Sequence, residues 1–101
     1  MFKNGMRPVH PGEILKEEYL EPLGLTAAAL ARALHVSAPT VNEIVLKRRG
    51  ISADVALRLA AAFETSAQFW LNLQTAYDLR IAQIAKGEEI GREVQRVVHC
   101  A

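Results

Sequence analysis

The stretch Leu25–Gly50, LTAAALARALHVSAPTVNEIVLKRRG, decides the fold. Thr26 is a good helix N-cap, and Leu30, Ala31 and Leu34 follow at helical spacing. His35-Val36 makes a turn, Ser37 stands at the N-cap of a second helix, and Val41, Ile44 and Val45 give that helix an apolar face. Ala31 is small where two helices joined by so tight a turn must cross closely. Such a pair is a helix-turn-helix, whose second helix lies in the major groove of DNA. Alanine-rich helix pairs also occur in ordinary bundles, so the pattern alone is only moderately specific.

Upstream, Pro11 suits the first position of a helix and Glu13 its first turn, where the helix dipole favours an acid. Ile14, Leu15, Tyr19 and Leu20 form its apolar face, and Pro22-Leu23-Gly24 ends it. Downstream, Ser52 caps a fourth helix with Asp54 in its first turn and Val55, Ala56, Leu59, Ala60 and Phe63 on its inner side. Thr65-Ser66 breaks and re-caps the chain. From Ala67 to about Lys86 a long fifth helix carries Trp70, Leu73, Tyr77, Ile81 and Ile84, a stripe of about four turns. No β-branched run alternates with period two. The expected fold is all-α with five helices. Beyond Gly87, Ile90, Val94, Val97 and Val98 share a face that would allow a short terminal helix, which Gly91 weakens. The organisation read from this is an N-terminal flank 1–10, a helix-turn-helix domain 11–86 and a tail 87–101.

Length and composition set limits. A chain of 101 residues, half of them hydrophobic, forms one domain with a modest core and no room for a deep catalytic cleft. The net charge of +1 gives no global sign of nucleic-acid binding. Its distribution says more: residues 1–50 carry 7 Lys/Arg against 5 Asp/Glu, and residues 51–101 carry 5 against 6. Lys47-Arg48-Arg49 follows the second helix of the pair, where cations complement either the helix C-terminal dipole or DNA phosphates. The single cysteine, Cys100, excludes an internal disulfide and has no cation or motif to activate it. With no signal peptide and no apolar run near twenty residues, a cytoplasmic location without membrane contact is expected.

Other function classes fall away. His10, His35 and His99 match no metal-ligand spacing, so neither metal nor cofactor is expected. Glu17-Glu18 and Glu88-Glu89 are sequence neighbours, which point about 100° apart on a helix and cannot share an acid–base site. No nucleophile elbow, phosphate loop or Gly-rich fingerprint is present. No catalytic residue is assigned, and the chain is not expected to be an enzyme.

In helix-turn-helix geometry the first residues of the second helix face base edges. Ser37, Ala38, Pro39 and Asn42 then face the groove, flanked by Thr40 and Glu43. Ala38 and Pro39 offer apolar contact suited to a thymine methyl. Asn42 suits bidentate pairing with adenine, against the bland reading of a solvated helix residue. Lys47, Arg48 and Arg49 suit phosphate contacts, which position a protein without reading sequence. Phe69 and Trp70 read as core aromatics.

Several blocks, in this order, resemble the HigA-type antitoxins, helix-turn-helix partners of a small RelE-like ribonuclease toxin. They are His10-Pro11-Gly12-Glu13-Ile14-Leu15, Leu23-Gly24-Leu25, Leu30-Ala31-Arg32-Ala33-Leu34, Val41-Asn42-Glu43-Ile44-Val45, Arg49-Gly50-Ile51-Ser52, Ala56-Leu57-Arg58-Leu59-Ala60 and Phe69-Trp70-Leu71-Asn72-Leu73-Gln74 with Tyr77-Asp78-Leu79. The likeness covers about residues 7 to 80. It implies a Cro- and lambda-repressor-like helix-turn-helix fold, a toxin partner, and repression of the chain's own operon through a palindromic operator. Two departures stand out. His35 occupies a turn position usually held by Gly, and Thr26-Ala27-Ala28 lacks the Gln that often contacts phosphate at the start of the first helix of the pair.

One helix-turn-helix covers one half-site, so a palindromic operator requires a homodimer. Ile81, Ile84, Ile90 and Val94 are the expected contact, because the long helix carries more apolar surface than four short helices can cover. The chain has no long polar segment of the kind that folds over a toxin. A folded surface is therefore expected to hold the toxin, namely the N-terminal flank and the outer side of the first helix. There Glu17, Glu18 and Glu21 would face a basic ribonuclease, or would simply solubilise the helix. Two other functions remain open: a stand-alone helix-turn-helix repressor without a toxin, and a helical scaffold with protein contacts only. A toxin reading frame beside the gene separates the first two. Salt-dependent binding to the chain's own promoter separates both from the third.

Overall fold

Hydroxyl caps begin three of the five helices. The computed structural model describes residues 7–98, so most of the flank before Arg7, together with His99 and Cys100, lies outside the described residues. Helix α1 runs without a break through Pro11–Ile14, Leu15–Leu20 and Glu21–Leu23. It is followed by α2 (Ala27–Leu34), α3 (Ala38–Val45), α4 (Ala53–Phe63) and α5 (Ala67–Glu93), with no strand among the described residues. The hydroxyl oxygens of Thr26, Ser52 and Ser66 accept from the backbone N–H of Ala29 (3.0 Å), Val55 (3.2 Å) and Phe69 (3.0 Å) at the starts of α2, α4 and α5.

Helix α1 departs from the regular α-helix its pattern suggests. Leu15–Leu20 is π-helical, and the Glu21 N–H reaches back to the Lys16 carbonyl. Pro22 supplies the cause. It has no N–H to give Glu18, and its ring would collide with that carbonyl in a regular turn; widening the turn relieves both problems.

Helices α1 to α4 end by one device. Leu25, Val36, Arg48 and Thr65 donate to carbonyls five residues back (Leu20, Ala31, Glu43 and Ala60), closing Schellman-type turns around Gly24, His35, Lys47 and Glu64. All four turn residues have positive φ, at 64°, 59°, 66° and 57°. Only one is glycine. The other three hold a left-handed conformation that costs an L-residue about 1–2 kcal/mol.

The core consists of Leu15, Leu20, Leu30, Ala31, Leu34, Val41, Ile44, Ile51, Val55, Ala56, Leu59 and Trp70. Helices α2 and α3 pack on each other, α4 packs on α5, and α1 bridges α3 and α5. Trp70 has no exposed surface, and its Nε1 donates to Thr65 Oγ1 at 2.8 Å, so its one polar atom is satisfied. The rings of Tyr19 and Phe63 lie 5.1 Å and 6.4 Å away. Phe69, expected in the core, is instead 37% exposed and meets Trp70 edge-on. Consecutive helical residues point about 100° apart, so only one of the two faces the centre.

Helix α5 also differs from the expected stop near Lys86. It passes through Gly87 and Gly91 to Glu93, and no separate terminal helix occurs among the described residues. A glycine inside a helix costs about 1 kcal/mol, which a helix already formed upstream absorbs. Neither glycine adopts positive φ, and Glu88 and Arg92 form an i,i+4 ion pair across this stretch. At 27 residues α5 is about 40 Å long. It stretches the molecule to 52 Å in one direction against 27 Å and 22 Å in the others.

Candidate nucleic-acid interface

The sharp turn between α2 and α3 depends on His35, whose φ of 59° and ψ of 44° turn the chain back within three residues. The Arg58 guanidinium braces this corner, donating from Nη1 to the Leu34 carbonyl at 2.8 Å and from Nε to Asp54 Oδ2 at 2.9 Å. Ala31 sits fully buried at the crossing.

Ser37 occupies the N-cap position of α3, but its side chain makes no capping bond. The Thr40 N–H instead bonds the Ser37 carbonyl at 3.0 Å, and Pro39 has no N–H to offer. With no backbone donor to accept, the Ser37 hydroxyl pairs with the Thr40 hydroxyl at 2.8 Å.

Helix α3 turns Val41 and Ile44 inward and leaves Ser37, Ala38, Pro39 and Asn42 exposed, with Thr40 and Glu43 half-buried along one flank. Ala28 on α2 joins Ala38, Pro39, Asn42 and Arg48 around a shallow open depression between the two helices. The three cations beyond α3 differ in their partners. Arg49 folds back along the helix, its Nη2 2.7 Å from Glu43 Oε1 and its Nη1 3.4 Å from Thr40 Oγ1. Lys47, in its left-handed turn, places Nζ 3.5 Å from Glu13 Oε1. Arg48 is exposed and has no ion pair among the described residues.

Helix α1 fixes the far end of α3. A Cβ on Gly12 would lie 1.8 Å from the Ile44 carbonyl oxygen, so only glycine allows this approach. The preceding residue, His10, is buried; its Nδ1 accepts the Gly12 N–H at 2.9 Å and its ring stands edge-on to Tyr77 at 4.8 Å. Burial first, and Lys47 second, hold the imidazole pKa below its ordinary value, against weaker opposite pulls from Asp78 and Glu13. Glu13 receives both guanidinium nitrogens of Arg7, which bring its pKa down to about 2 with help from Lys47.

These supports escaped the sequence reading. His-Pro before a helix signals a cap in hindsight, because the histidine directly precedes proline at the first helical position. Gln74 stood in a matching block with no role assigned to it; its Oε1 accepts the Ile51 N–H at 2.6 Å and its amide packs where a Cβ on Gly50 would stand.

The other expected sites lie elsewhere. Glu17, Glu18 and Glu21 are exposed together on α1. Ile81, Ile84 and Ile90 are 41%, 58% and 47% exposed on distal α5, and Val94, at 64%, follows its end. His10 and His35 are not joined by other ligands, and no cluster able to hold a metal occurs among the described residues. No helix there is long and apolar enough to cross a membrane.

The helix-turn-helix family HTH_3 matches residues 16–70, from the body of α1 to the first turn of α5, and defines the class. Virulence-associated protein I of Dichelobacter nodosus is 63% identical over 81 residues, covering 80% of this chain and 75% of that protein. Antitoxin HigA-1 of Vibrio cholerae is 47% identical over 79 residues, 78% of this chain and 74% of its own length. Among solved structures, antitoxin GraA in complex with its operator superposes with a TM-score of 0.89 at 58% identity, covering 98% of this chain and all of GraA. Pseudomonas aeruginosa antitoxin HigA with the higBA promoter gives 0.88 at 56%, covering 91% of this chain and all of HigA. This chain belongs to the HigA-type antitoxins. Relatives of this kind are antitoxins and transcription regulators, not enzymes.

Proposed function

We propose that this chain is a cytoplasmic antitoxin that represses its own operon, binding a palindromic operator as a homodimer and neutralising a RelE-like ribonuclease toxin. The observation that carries the DNA reading is the outer face of α3. Asn42, Ala38 and Pro39 stand exposed there beside Arg48, on a helix fixed at both ends, in a chain more than half identical to antitoxins solved with operator or promoter DNA. Asn42 supplies the pair of hydrogen bonds that suits adenine, Ala38 and Pro39 the apolar surface that suits a thymine methyl, and Ser37, Thr40 and Glu43 border them. Of the cations that follow, Arg48 is the one free of a carboxylate among the described residues to meet phosphate, with Lys47 and Arg49 on either side of it in the chain.

A mobility-shift titration on the duplex of the chain's own promoter tests this. Asn42→Ala should cost about 1–3 kcal/mol and relax discrimination at one base position. Arg48→Ala should weaken promoter and unrelated duplex alike. Parental binding by both variants would remove α3 as the reader.

The homodimer brings two copies of α3 to half-sites about one helical turn apart, and exposed Ile81, Ile84, Ile90 and Val94 supply the contact. The toxin meets the outer side of α1, where Glu17, Glu18 and Glu21 complement a basic ribonuclease. Reversing all three to Lys should slow association with the neighbouring gene's product; unchanged kinetics would move that contact elsewhere.

A further inference from the structure

The basic triplet beside α3 is largely neutralised by the protein itself. Glu43 takes Arg49 at 2.7 Å and Glu13 takes Lys47 at 3.5 Å, which leaves Arg48 as the only one of the three without a carboxylate partner among the described residues. The two acids are placed by different means. Glu43 lies on α3 itself, one turn after Thr40, so Arg49 is drawn along the flank of the helix and touches both. Glu13 sits on α1, whose first turn is locked against the end of α3 by the contact of Gly12 with the Ile44 carbonyl and by the His10 cap. Its side chain is only 13% exposed, so the carboxylate is fixed in position, while the Lys47 side chain reaching it is 53% exposed.

A carboxylate on the DNA-facing side of a reading helix repels phosphate, and one in the anchor behind it does no reading. Both hold down affinity for any duplex. Non-specific binding comes almost entirely from cations neutralising phosphates, whereas specific binding adds hydrogen bonds and apolar contacts to bases. Removing two cations from general use therefore weakens the non-specific mode more than the specific one. We propose that Glu13 and Glu43 are specificity-determining residues: by holding Lys47 and Arg49 they raise the ratio of operator to non-operator binding. This inference rests on the operator-reading role of α3. In it Arg48 is the general phosphate contact, and Arg49 is kept in register with Thr40 and Glu43.

The test is the salt dependence of binding to two duplexes of equal length, the chain's own promoter and a scrambled version. Each cation released to a phosphate adds about 0.9 to the slope of log Kobs against log salt. Glu43→Gln should steepen the slope on scrambled duplex by about one per chain bound and tighten that binding roughly threefold at low salt. Promoter affinity should rise less, so the ratio falls. Glu13 also holds Arg7, so Glu13→Gln is made in an Arg7→Gln background; there it should do the same through Lys47, and the gain should vanish when Lys47→Gln is added. Arg48→Ala should flatten both slopes. Far-ultraviolet circular dichroism and melting of each variant separate charge effects from loss of fold. Unchanged slopes on scrambled duplex in both Gln variants would overturn the proposal. So would equal weakening on both duplexes, or a gain that survives removal of Lys47. A parent that prefers its promoter no more than the scrambled duplex would defeat the operator reading instead, whatever the Gln variants do.

Discussion

Ile44 and Ile84 occupy the same kind of place, an apolar residue on the repeating stripe of a helix, yet the first is 1% exposed and the second 58%. Around Ile44, the helices α1 to α4 and the first turns of α5 enclose twelve buried apolar residues anchored on Trp70. Around Ile84 there is nothing: every described residue from 81 to 98 is exposed, although Ile81 and Ile84 continue the stripe of Trp70, Leu73 and Tyr77 at helical spacing. Periodicity specifies which face of a helix is apolar. It does not say whether the cover comes from the same chain. The first region is a finished domain; in the homodimer proposed here, the second is half of a contact that a second copy completes.

The sharpest way to separate the two regions is to cut into each. Trp70→Ala should remove about 3–5 kcal/mol of stability, a large part of what a domain of this size possesses, read by thermal or urea unfolding. Ile84→Asp should leave the unfolding of the single domain nearly unchanged. It should instead abolish the rise of melting temperature with protein concentration that a dimer displays. A next, smaller effect lies where α1 meets α3. Gly12→Ala should cost about 1–3 kcal/mol, because its methyl has to displace the Ile44 carbonyl and with it the end of α3.

Acid should probe the same junction. The folded state holds His10 neutral, with a pKa below its ordinary value of 6.5. The unfolded chain therefore binds the extra proton first, so stability is fully present above pH 6.5 and declines as pH falls through the lowered pKa of the folded state. Protonation would place a hydrogen on the Nδ1 that now accepts from Gly12. His10→Asn keeps a capping oxygen and should flatten this part of the melting-temperature profile. Glu13 contributes in a lower window: its stabilisation is present above pH 4.5 and lost as pH falls toward 2.

The smallest expected change is a gain. Glu64 closes α4 at φ 57°, with no glycine to relieve it. Glu64→Gly should stabilise by about 0.5–1 kcal/mol, the left-handed cost removed less the added freedom of glycine in the unfolded chain. An unchanged or lowered melting temperature would show that this turn is not strained.

Much of this was legible in the residues. The stripes Leu30-Ala31-Leu34 and Val41-Ile44, the caps at Thr26, Ser52 and Ser66, and Trp70 as a core aromatic follow from spacing and hydrogen-bond chemistry that act within one or two turns. The π-helical turn in α1 was not foreseen, although Pro22 was visible, because proline stops most helices and here the stop lies two residues later at Gly24. The passage of α5 through Gly87 and Gly91 was missed because the cost of a glycine is local while the momentum of a long helix is not. At the candidate interface, the exposed residues of α3 could be named from spacing. The carboxylates that hold Lys47 and Arg49 could not, since Glu13 reaches Lys47 across 34 positions of sequence and only the fold of α1 over α3 brings them together.

The difference between the two regions is tested most directly by sedimentation equilibrium of the parent chain at micromolar concentration, beside a variant carrying Ile81→Asp and Ile84→Asp. The account predicts a dimer for the parent and a folded monomer for the variant. A parent that stays monomeric, or a variant that stays dimeric, would contradict it.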